Sequence, residues 1–273
     1  MDPVLSVILT LSLFGITHIG MASSYVRGPL VARFGAFTFT MLFSAVATAG
    51  FSLLAYNYSV VSTQGPAGFA LGSDAVMRWP LIVLSTLGVM LLVGSLFDYP
   101  TSAYYLSSAG TKPEPRGLER ITRHPFMVGL AMTNIAHALL ATRLTGTIFF
   151  AGLSAIAILG SMHQDAKLRA RNPSLHGPYT EKSSLVPFAA ILSGRNRLVL
   201  SELRPFGLML GLLAAYGLRQ AHPHIFADGG IYVIGVVVIG AFLLGLQDLR
   251  KHLNRRSVEE PATAHTVAPK AGN

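Results

Sequence analysis

Four histidines sit where water is scarce. His18, His124, His137 and His163 each lie in or at the end of a long apolar run. An ionisable side chain in such a run costs free energy, so it marks either chemistry or a hydrogen bond between helices. The stretch RITRHPFMVGLAMTNIAHALL, residues 120–140, carries a histidine toward each end. At ~100° and 1.5 Å per residue, His137 lies roughly 140° around and roughly 20 Å along the helix from His124. One metal ion cannot take both, so they do different jobs. His137 needs a partner from another helix, and His18, in GITHIGMASS, is the histidine well inside a different run. Depths counted from the ends of the runs differ by about 10 Å between His18 and His137, a separation that two imidazoles can span toward a shared metal. Ligation and a plain interhelical hydrogen bond remain equally open for this pair. His124 precedes Pro125, a good first residue of a helix, and reads as a helix-mouth residue. Beside it, Arg120 and Arg123 suit carboxylates or phosphates.

The elements that must position these residues are membrane spans. The chain is 51% hydrophobic and only 12% charged, with a mean hydropathy of +0.52; soluble domains carry about 25% charged residues. Apolar blocks close to the ~20 residues needed to cross ~30 Å of hydrocarbon predict seven spans, at about 4–22, 35–56, 80–97, 122–141, 145–162, 204–219 and 230–249. The expected fold is all-α, a polytopic transmembrane helix bundle. The stretch 57–79, with Gly65, Pro66, Gly68 and Gly72, reads as a loop. The first block lacks a positive leader and reads as a retained span with its N-terminus outside. With that orientation, only Arg78, Arg143 and Arg219 of the 21 lysines and arginines fall on the outer side, which predicts an N-out, C-in topology.

The same charge pattern explains a net charge of +9 without nucleic acid as a partner. The absence of cysteine excludes disulfides, thiolate nucleophiles and zinc–thiolate or iron–sulfur sites. No internal repeat suggests an inverted-repeat transporter. The membrane domain is expected over 1–256, with 257–273 a polar, disordered cytoplasmic tail that leaves His265 solvated. Asp98 is placed to pair with Arg120 or Arg123. His163 reads as interfacial, and His176, His222, His224 and His252 read as loop or span-end residues satisfied by water.

Four stretches carry a family resemblance: FGITHIGMAS, RITRHPFMVG…AHALL, TEKSSLVPFAAILSGR at 180–195, and AYGLRQAHPHIF. On these the chain resembles the NnrU family of membrane proteins, and within it the 15-cis-zeta-carotene isomerases. The resemblance implies a b-type haem on two histidines, which fall on His18 and His137. It implies redox-gated isomerisation of a lipid-soluble polyene, with Arg120, Arg123, His124 and Asn134 near the cofactor. Asn134 stands where plant members have cysteine. His163 is typical of the bacterial branch, which implies a bacterial inner membrane, membrane lipids as surroundings, and an alternative role in nitrogen-oxide metabolism or electron transfer. The Arg-His-Pro sequence also marks membrane methyltransferases, but the tail here offers no nucleotide-binding segment of the kind they use.

Overall fold

The structure is a computed structural model that describes residues 1–97 and 114–264; Asp98 and residues 265–273 lie outside the described residues. Among the described residues there are ten α-helices and no strand. They are α1 (Pro3–Ala22), α2 (Ser24–Phe34), α3 (Ala36–Val61), α4 (Ala75–Ser95), α5 (Pro125–Leu140), α6 (Leu144–Arg171), α7 (Pro173–Glu181), α8 (Ala189–Leu192), α9 (Pro205–Ala221) and α10 (Ile231–Ala264). Asp2 and Asp74 accept backbone N–H groups and cap α1 and α4. Gly35, at φ 83°, makes the turn from α2 into α3.

The seven long helices form a row, α10–α3–α1–α6–α5–α4–α9, each packed on its neighbours. Val7, Phe14, Leu54, Tyr58 and Phe149 make the core between α1, α3 and α6, with Tyr58 stacked on Phe149 at 4.0 Å. Outward faces carry exposed Ile16, Val236 and Phe242, as lipid contact demands. At the α4–α5 crossing a Cβ on Gly88 would lie 2.7 Å from the Gly129 carbonyl oxygen, and one on Gly129 2.5 Å from that of Gly88. The two backbones touch, as small residues allow inside membranes.

Seven spans were expected; five helical segments are long and apolar enough to cross a membrane. The other two helices of the row fall short. α5 has 16 residues, about 24 Å at 1.5 Å per residue, because the chain before Pro125 is held by bonds to a later segment. α9 has 17 residues and stops where Arg219 and Pro223 end the apolar run. At the other extreme, α6 continues to Arg171, nine residues past its predicted end, since Gln-Asp-Ala-Lys-Leu-Arg-Ala-Arg contains no helix breaker. α10 likewise runs to Ala264, into the polar segment expected to be a disordered tail.

Contacts fix the vertical register around α6. Leu11 sits against Gly152, Gly15 against Ile156, and Ala22 against His163. α1 is therefore parallel to α6, at a constant offset of 141 residues. Ser154 bonds Ala131 and Thr147 bonds Ala138, so α5 runs antiparallel.

Candidate functional site

The residues before α5 form a stitched cap. The Thr122 hydroxyl donates to the Leu185 carbonyl at 2.8 Å, Arg123 N–H to Ser184 at 2.7 Å, and Phe188 N–H to Ile121 at 2.8 Å. Phe188 is held in the left-handed region, φ 62°, which a bulky residue adopts only when its surroundings dictate it. These bonds leave His124 at the α5 N-terminus with non-helical backbone, φ −125°, ψ 69°.

Arg120 belongs to this cap rather than to a cofactor site. Its guanidinium grips Glu202 through two N–H···O bonds of 2.7 Å each, and a third reaches Asn196 at 2.8 Å. The paired bonds to Arg120, with a further bond from Gly117 N–H, hold the Glu202 carboxyl down at about 2. That value lies below its ordinary 4.5, so the bridge contributes in full above pH 4.5 and is lost as pH falls toward about 2. Thermal unfolding against pH should therefore weaken across that window in the wild type, and the weakening should shrink in Glu202→Gln.

Asp165 organises the mouth. His124 Nε2 lies 2.8 Å from Asp165 Oδ1, Arg123 Nε lies 3.2 Å from Oδ2, and His176 Nε2 lies 3.8 Å from Oδ1. A carboxylate only accepts, so His124 Nε2 is the protonated nitrogen. His124 is buried and its two partners are largely shielded, with side-chain exposures of 14% for Arg123, 9% for His124 and 15% for Asp165. Sequence reasoning missed Asp165, which the prolonged α6 carries inward, and it misjudged His176. That imidazole is fully buried, not water-satisfied. Burial pushes it below its ordinary range, while Asp165 pulls it back up.

A cavity of about 710 Å³ opens beside this cluster, within the ~300–1,000 Å³ of small-molecule pockets. His18, Arg123, His124 and His163 line it, together with the aromatic rings of Phe39 and Phe43. His18 lies between Phe14 and Phe43, 5.2 Å from each ring, and its Nδ1 is buried without a hydrogen-bond partner. His163 Nε2 and Lys167 Nζ both lie 3.4 Å from the Ala22 carbonyl oxygen, where they satisfy the C-terminus of α1. His163 thus also lines the cavity. By the register, His18, His124 and His163 fall within four residues of one another along α6, about 6 Å of depth.

His137 is elsewhere. Its Nδ1 lies 2.8 Å from the Thr133 carbonyl and its ring is 5.0 Å from Phe150 and 6.0 Å from His222. It stands level with residue 148 of α6, whereas His18 stands level with residue 159. Eleven residues are about 16 Å of depth. Two imidazoles on one metal each reach roughly 6 Å from Cα, of which ~2 Å is the metal–nitrogen bond. The residues therefore do not fit a haem held between His18 and His137 in this arrangement. The ~10 Å expected from span ends set His18 too deep: it stands only four residues, about 6 Å, from the end of α1. Asn134 does not line the cavity; its Nδ2 donates to Leu130 of its own helix at 2.8 Å. Among the described residues no group of three or more His, Asp or Glu side chains is placed to hold a metal ion.

A family model described as NnrU protein matches residues 6–247. The chloroplastic 15-cis-zeta-carotene isomerases of Zea mays and Arabidopsis thaliana are each 28% identical over 204 residues, covering 71% of this chain and 52% of theirs. The chain spans about half the length of these curated relatives. No solved structure matches it.

Proposed function

The chain belongs to the NnrU family, and from that premise we propose that it is a membrane-embedded isomerase acting on a 15-cis polyene of the zeta-carotene class. The observation that carries this reading is the aromatic-walled cavity at the His18 level, in a chain related to two proteins named for that reaction. Cis–trans isomerisation adds and removes no atoms, so the protein's work is to hold the central double bond away from water and to guide the rotation. Phe39 and Phe43 would clasp the polyene, and His18 would present its buried, unpartnered Nδ1 to the site. His124, aligned by Asp165, would stand at the polar end.

Expression in cells that accumulate 15-cis-zeta-carotene tests the proposal. Chromatography should show the 15-cis isomer converted, with Phe43→Ala slowing conversion about tenfold or more through lost positioning. Wild type that inserts into the membrane and leaves the carotene unchanged would sink the reading.

The orphaned His18 Nδ1 also favours a second reading, an NnrU-type haem protein in which this imidazole alone among the two expected ligands faces the cavity. Reconstitution with haem b separates the possibilities. On this reading His18→Ala loses the Soret band and His137→Ala keeps it; the opposite pattern, or equal loss in both, defeats it.

A further inference from the structure

The cavity has a charge imbalance that a hydrocarbon substrate does not account for. Arg27, Arg123 and Lys167 line it, and no aspartate or glutamate among the described residues does. Arg123 is balanced by Asp165. Arg27 and Lys167 meet no carboxylate among the described residues: Arg27 lies over the Phe39 ring at 5.6 Å, and Lys167 reaches only the Ala22 carbonyl. Both are half-buried. They come from α2 and α6 and line the same cavity. Like charges held together at the edge of an apolar cavity repel, and an anion between them relieves the repulsion.

We propose that Arg27 and Lys167 bind the phosphate of an anionic glycerophospholipid at the mouth of this cavity. The site goes beyond the isomerase reading and does not rest on it. Two features select a lipid over a free anion. The cations sit at the end of α1, the level at which long basic side chains meet headgroups. The lining beside them is apolar, with Ile19 and Ala22 placed to receive the start of an acyl chain. The polyene region at His18 lies one helical turn further in than Ala22.

The test is native mass spectrometry of the full chain with dioleoyl-phosphatidylglycerol and dioleoyl-phosphatidylcholine, which share acyl chains. The phosphatidylglycerol should be retained about tenfold or more tightly. The Arg27→Gln/Lys167→Gln double variant should lose that preference, and Lys167→Arg should keep it. Should the double variant fail to fold, wild type in raised salt carries the test, because screening must weaken the preference. Equal retention of both lipids, or a preference that survives in a folded double variant, overturns the proposal. Displacement of the phosphatidylglycerol by millimolar inorganic phosphate would show a free-phosphate site and overturn the lipid assignment.

Discussion

Asp165→Ala should cost about 3–5 kcal/mol, the largest loss expected from any single polar substitution in the bundle. The carboxylate pairs with Arg123 and His124 together, and its removal takes that shared partner from both. Melting in detergent should fall by roughly 6–20 °C, at ~2–4 °C per kcal/mol for a chain of this size. Asp165→Asn, which keeps the volume and one acceptor, should lose less. Arg123→Ala placed on Asp165→Ala should cost less than the sum of the two single losses, because the two side chains share one ion pair. A single alanine variant that melts within 2 °C of wild type would show that the cluster contributes little.

Gly129→Leu should yield no monodisperse protein at all. A bare Cβ at this position would already lie 2.5 Å from Gly88 O and 2.6 Å from Leu92 N. Backbone cannot move aside as a side-chain tip can, so α4 and α5 would have to separate and expose their joined faces. Gly20→Ala is the contrasting case. Nothing lies within 4 Å of its Cβ, and it should be neutral or stabilise the helix by about 0.5–1 kcal/mol. Size-exclusion profiles of the two variants decide the matter; a well-folded Gly129→Leu would mean the crossing is looser than the contact distances imply.

The helical bundle was legible because length and hydropathy alone define a span. The ends of helices were not. α2 forms through Pro29 where the sequence suggested a connection, and α4 starts at Ala75 rather than residue 80. Within the site, His18, Arg123 and His124 were identifiable from residue type and the Arg-His-Pro context. Asp165 and His176 were hidden because each lies in a polar stretch whose burial depends on helices packed from distant parts of the chain. The His18–His137 pairing required a vertical register, and spans read one at a time carry none. Contacts such as Leu11 with Gly152 set it.

The stitched cap also has a consequence for biogenesis. Its bonds join residues separated by 61 to 85 positions, from Arg123–Ser184 to Gly117–Glu202. At ~5–20 residues per second, a ribosome takes roughly 3–17 s to cover that distance. For that interval the helix pair α4–α5 has been made while Arg120 still awaits Glu202. The mouth is then the last part of its neighbourhood to be sealed, and a nascent chain stalled before residue 202 presents it open.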